Sequence, residues 1–93
     1  MFEQILQQMR QKIRQQQYVM TLHADEEMAD DNLMLADVEE AILTGEILER
    51  QKDRDTDEWK YRISGFSIDG APVEVVAKLG VTGKVVIITV YAL

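Results

Sequence analysis

Cysteine is absent from the 93 residues, and histidine and proline occur once each. Without thiolates there is no disulfide framework, no cysteine-ligated zinc or iron–sulfur centre and no cysteine nucleophile. With His23 alone, a multi-histidine metal site is excluded as well. Cations are scarce too: 10 Lys and Arg face 17 Asp and Glu, a formal net charge of −7 and a pI near 4.5. Such a surface repels polyphosphate as a whole, which disfavours blanket binding to nucleic acid or anionic membrane. No apolar stretch approaches the roughly 20 residues that span a bilayer. The opening residues lack a basic segment followed by an apolar run, so no secretory leader is expected, and the reading is a soluble, cytoplasmic protein.

What remains is one small domain, residues 1–93, with 46% apolar residues. A core of this size is marginal by itself, so a partner subunit is a reasonable expectation. The acidity is local. Residues 25–58 hold fourteen of the seventeen acids and three bases, a net −11, whereas residues 1–24 and 59–93 each carry +2. Any surface for an anion therefore has to use the two ends.

Residues 1–17 read as an amphipathic helix, because Phe2, Ile5, Leu6, Met9 and Ile13 recur at three- and four-residue spacing. Its stripe covers the chain's own sheet or grips a partner, and Phe2, Ile5, Met9 and Ile13 are the contacts in the second case. Residues 18–45 hold a short strand, Tyr18 to Leu22, and two short helices. The first is capped by Thr21; the second, Ala36 to Thr44, turns Val38, Ala41, Ile42 and Leu35 inward and ends at a left-handed Gly45. Residues 46–93 form an antiparallel sheet, giving an α+β fold with four or five strands.

From Trp59 the period becomes two. A three-residue Ile68-Asp69-Gly70 loop sets Ile63 opposite Val75 and Tyr61 opposite Ala77, and a Val81-Thr82-Gly83 loop sets Leu79 opposite Val85 and Ala77 opposite Ile87. The strand Val85 to Tyr91 is apolar on both sides. Strict alternation puts Val85, Ile87 and Tyr91 on one face and Val86, Ile88 and Val90 on the other, and two covered faces imply a central strand. Val76, Ile88 and Val90 then form a second apolar, partner-binding surface rimmed by Lys60, Arg62 and Lys78.

His23 is the one side chain suited to general acid–base work near neutrality, and beside Asp25, Glu26 and Glu27 it fits a proton donor or an anion contact. As a plain structural residue it would instead anchor its helix. The alternating carboxylates from Asp53 to Glu58 lack the glycine and the final glutamate of a calcium loop, and Gly80, Gly83 and Lys84 sit in a hairpin rather than a phosphate-binding turn. No cofactor or metal is expected. Lys60, Arg62 and Lys78 share a sheet face, with Lys60 across from Lys78. Like charges so placed repel unless a carboxylate such as Glu74 or an anionic ligand lies between them.

The run His23-Ala24-Asp25-Glu26-Glu27-Met28, then Asp37-Val38-Glu39-Glu40-Ala41-Ile42 and Gly45-Glu46-Ile47, resembles a bacterial family of small proteins built on a domain of unknown function. Glu58-Trp59-Lys60-Tyr61, Val75-Val76-Ala77-Lys78 and Thr82-Gly83-Lys84-Val85 extend the resemblance to Tyr91. Where many members of that family carry Arg four and eight residues after the His, this chain has Glu27 and Asp31. The family is similar in layout to RelE-type toxins and is often encoded beside a zinc-finger antitoxin of the MqsA type. The resemblance implies a toxin of a type II toxin–antitoxin pair that cuts messenger RNA, free or on the ribosome, without a metal. His23, Lys60, Tyr61, Arg62, Lys78 and Tyr91 are its implied catalytic set. The alternative is a non-catalytic homodimeric or partner-binding module.

Overall fold

The computed structural model describes residues 1–93 as three helices and a five-stranded sheet. Helix α1 spans Glu3–Arg14, with Glu3 in its first turn and Lys12 and Arg14 in its last, each favourable to the helix dipole. Its stripe packs inward: Met9 is fully buried and Ile13 nearly so, which commits both to the chain's own core and removes them from any partner surface. Phe2 and Ile5, nearer the start, are half-buried.

Strand β1 (Tyr18–Met20) follows, then α2 (Leu22–Asp30) and α3 (Leu35–Thr44). Thr21 caps α2 as its type predicts, its Oγ1 accepting the Ala24 N–H at 3.1 Å. Asp37 holds the start of α3: one carboxylate oxygen accepts the Met34 N–H at 2.9 Å and the other accepts the Ile68 N–H at 3.2 Å. Leu35 points outward, 46% exposed, because the inward stripe is Val38, Ala41 and Ile42. Gly45 is extended (φ −87°, ψ −179°) rather than left-handed. Space, not conformation, demands glycine there, since a Cβ would sit 2.4 Å from the Ala41 carbonyl oxygen and 2.8 Å from that of Ser64.

Strands β2 (Glu46–Lys52), β3 (Trp59–Phe66), β4 (Pro72–Leu79) and β5 (Val85–Ala92) complete a sheet of order β1-β5-β4-β3-β2. The pairs Ile63 with Val75, Tyr61 with Ala77, Leu79 with Val85 and Ala77 with Ile87 form as the loop lengths dictate, with Gly70 and Gly83 at φ 84° and 87° in the turns. Three features differ from the sequence expectation. The pair β1 with β5 is parallel, and the central strand is β4, with β5 one place from the edge. The third concerns β5, where Thr89 pairs with Val76 but Ile87 pairs with Ala77, leaving Ile88 as an inserted residue. This bulge reverses the alternation beyond it, so Val90 enters the core, fully buried, and Tyr91 turns to the opposite face.

The helices cover one face of the sheet: α3 lies across β3 and β4, α1 packs on α3 and β5, and α2 runs beside β5. Ile63, Val75, Ala77, Ile87 and Val90 meet Met9, Val38, Ala41 and Ile42 in one core. No helix is long and apolar enough to cross a membrane.

Candidate functional site

The face of the sheet away from the helices presents Arg62, Glu74 and Tyr91, because residues of one parity on each strand share a face and the bulge brings Tyr91 into line. Arg62 Nε donates to Glu49 Oε1 at 3.1 Å and its NH1 donates to Glu74 Oε1 at 3.0 Å. The Tyr91 hydroxyl donates to the same Glu74 oxygen. Four strands are thereby tied together by side chains. Glu74, 8% exposed, is held below the usual carboxylate range by the Tyr91 hydrogen bond first and by Arg62 second. Glu49 is lowered by its hydrogen bonds from Gln51 and Arg62. Tyr91 is raised, mainly because its hydroxyl is hydrogen-bonded to an ionised carboxylate.

Lys78 lies at the other end of this face. Its Nζ is 3.2 Å from Glu58 Oε1 and 4.0 Å from Asp53 Oδ2, both in the β2–β3 loop. Asp53 is lowered chiefly by the Asp55 backbone N–H, with the charges of Lys78 and Lys60 adding to it. The like charges expected to oppose each other are thus relieved by carboxylates of the acidic middle segment. Lys60 itself is half-buried.

His23 is exposed on α2, its Nε2 3.3 Å from Glu27 Oε1 one turn on. Glu27 has a second task, since the same oxygen accepts the Val90 N–H at 3.1 Å, and Asp31 Oδ2 accepts the Ala92 N–H at 2.8 Å. Strand β1 ends at Met20, opposite Ile87, so on that side β5 runs on without a neighbouring strand. Carboxylates four residues apart on α2 supply the acceptors that a longer β1 would have given. Glu27 also adds a small upward push on Tyr91.

Of the six residues singled out for chemistry, Tyr91 and Arg62 meet at Glu74, whereas His23 reaches β5 through Glu27 and the Val90 N–H. Lys78 and Lys60 stand apart from them, and Tyr61 is on the helix-covered face, its ring centroid 6.0 Å from that of Phe2. Of the apolar partner candidates, Val76 and Ile88 are half-buried on or beside the open face. Trp59 carries the Arg50 guanidinium at 4.0 Å and Lys52 Nζ at 4.5 Å over its ring.

Two residues of consequence escape a reading by pattern. The Tyr18 hydroxyl donates to Glu39 Oε2 at 2.6 Å. Together with Gln16, Leu35 and Ala36 they line a cleft of about 500 Å³. Glu39 beside Glu40 reads as solvated helix surface, and Tyr18 reads as strand; only the tertiary fold brings the two side chains together.

A helical layer over one face of a mostly antiparallel sheet, with carboxylate-saturated cations on the other face, defines a small two-layer α+β domain. The chain belongs to the family described as a domain of unknown function, DUF4258, whose pattern matches residues 20–92. No curated protein and no solved structure matches it.

Proposed function

We propose that this chain is a non-catalytic module that binds a protein partner. The observation that supports this reading is the saturation of the open face: Arg62 lies between Glu49 and Glu74, and Lys78 lies between Glu58 and Asp53. A phosphodiester competing for these cations has to displace carboxylates already in place, and the surrounding charge opposes its approach. The test is inducible expression in bacteria with and without the neighbouring gene, following growth and total messenger RNA. The module reading expects normal growth and intact RNA in both cases, and a stoichiometric complex that survives size-exclusion chromatography.

One observation favours a second reading, a RelE-like messenger-RNA endoribonuclease restrained by a zinc-finger antitoxin of the MqsA type. Tyr91 and Arg62 meet at Glu74, and the exposed His23 pairs with Glu27, whose same oxygen accepts the N–H of Val90, the residue before Tyr91. On this reading expression arrests growth and depletes messenger RNA, the neighbouring gene relieves the arrest, and His23→Ala or Arg62→Ala abolishes it.

A further inference from the structure

We propose that the cleft between α3 and β1 receives a lysine or arginine side chain from the bound protein, an inference that rests on the binding-module reading above. Its lining is part polar and part apolar: Glu39 and the Tyr18 hydroxyl meet at 2.6 Å, and Leu35, 46% exposed, and Ala36 line it as well. Glu39 differs from the carboxylates of the sheet. Glu49, Glu58 and Glu74 each have a cation of this chain within 3.2 Å, whereas Glu39 receives only the Tyr18 proton, on Oε2. Glu39 takes no other side-chain hydrogen bond from the protein, and it lines the cleft.

The tyrosine fixes this acceptor. Burial first, and the Glu39 hydrogen bond second, push the Tyr18 hydroxyl well above its ordinary value, so it remains a donor throughout the physiological range and orients the carboxylate. An incoming guanidinium or ammonium finds a charged acceptor in Glu39, an aromatic ring in Tyr18 and aliphatic surface in Leu35 and Ala36 for its methylene stem. Long-range charge favours the same ligand, because residues 25–58, which include all of α3, carry a net −11. An anionic or purely apolar segment leaves Glu39 without a partner.

The probe is a blocked Leu-Arg-Leu tripeptide, with its citrulline counterpart as the neutral control, titrated into the intact protein while backbone amide resonances are followed. Saturating shifts confined to Gln16, Tyr18, Ala36 and Glu39 are expected, with affinity lowered about fivefold or more by citrulline or by Glu39→Gln. Tyr18→Phe provides a second variant, removing the orienting hydroxyl while keeping the ring. Shifts spread without saturation over Asp25, Glu26 and Asp30, or an affinity indifferent to Glu39→Gln in a protein with an unchanged spectrum elsewhere, would overturn the proposal. This titration judges the cleft alone. Failure of the binding-module reading is seen separately, as messenger-RNA loss on expression.

Discussion

Tyr91 and Arg62 stand on β5 and β3, strands that do not pair, yet both donate to one oxygen of Glu74 on the strand between them. The meeting depends on a single inserted residue. Without the bulge at Ile88, alternation would send Tyr91 into the helix-covered core and Val90 to the open face, as a strict period of two implies. The backbone irregularity therefore does two things at once: it completes the core with Val90 and supplies Glu74 with its principal hydrogen-bond donor.

Replacing that acceptor tests the arrangement. Glu74→Gln keeps the shape but loses the charge, so its carbonyl oxygen can accept from both donors only in weaker hydrogen bonds to a neutral group. Because Glu74 is 8% exposed, the variant should lose about 2 kcal/mol in urea unfolding, the usual range for hydrogen bonds to a charged group. Arg62→Gln should cost less, since its side chain is 29% exposed. Equal stability of Glu74→Gln and the native protein would mean that the network is ornamental.

Much of this architecture is legible in the residues, and the parts that are not have identifiable reasons. Loop length and the glycines at 70 and 83 set the β3–β4–β5 register, because a slip of one residue would put Arg62 into the core. Thr21 marks the start of α2, and Met9 and Ile13 are where a self-packing stripe belongs. The bulge is invisible in a strand apolar on both faces, since either alternation buries large side chains. The parallel β1 with β5 pair, the stand-in carboxylates Glu27 and Asp31, and the Tyr18 and Glu39 contact join segments 21 or more residues apart. Local pattern carries no signal for such contacts. The candidate site is half legible: alternation gives Arg62 and Lys78 a shared face and sends Tyr61 to the other, but the arrival of Tyr91 follows from the bulge.

The pH dependence has a definite sign on each side. Glu74 and Glu49 lie below their ordinary 4.5 in the folded protein, so the stability they contribute is present above that value and is lost as acid protonates them below it. The stability gap between native protein and Glu74→Gln should be constant near neutrality and shrink as pH falls through 4.5 and below. In alkali the roles reverse. Tyr18 and Tyr91 lie above 10.0, so their contribution is full below that value and declines as pH rises through the higher folded values. Absorbance at 295 nm should show a late-ionising component that shrinks in Tyr18→Phe and again in Tyr91→Phe, and that moves to about 10 on denaturation.

The helix side chains at the end of β5 make a local prediction. Glu27→Ala and Asp31→Ala remove the acceptors of the Val90 and Ala92 amides while leaving the rest of the sheet intact. Hydrogen exchange should accelerate at those two amides, with a global loss of about 1 kcal/mol for Glu27→Ala, whose partner lies in the core strand. Glu27→Gln keeps a carbonyl acceptor and should retain most of the protection. Unchanged exchange at Val90 in Glu27→Ala would show that the helix carboxylates do not serve the strand edge.

Helix α3 closely approaches the sheet at Gly65, where a Cβ would lie 2.0 Å from the Ala41 carbonyl oxygen and 2.8 Å from its carbon. Both are backbone atoms of α3, so no side-chain rotation relieves the clash, and the helix has to lift off β3. Lifting it opens the contact of Ala41 and Ile42 with Ile63 at the centre of the core. Gly65→Ala should therefore lose about 3 kcal/mol by urea unfolding, at the upper end for overpacking because a backbone rather than a side chain must move. Gly70→Ala is the control: nothing lies within 4 Å of its Cβ position, and the cost there is confined to the left-handed φ of 84°, about 1 kcal/mol. If the two variants unfold at the same urea concentration, α3 does not rest on β3 as closely as the geometry requires.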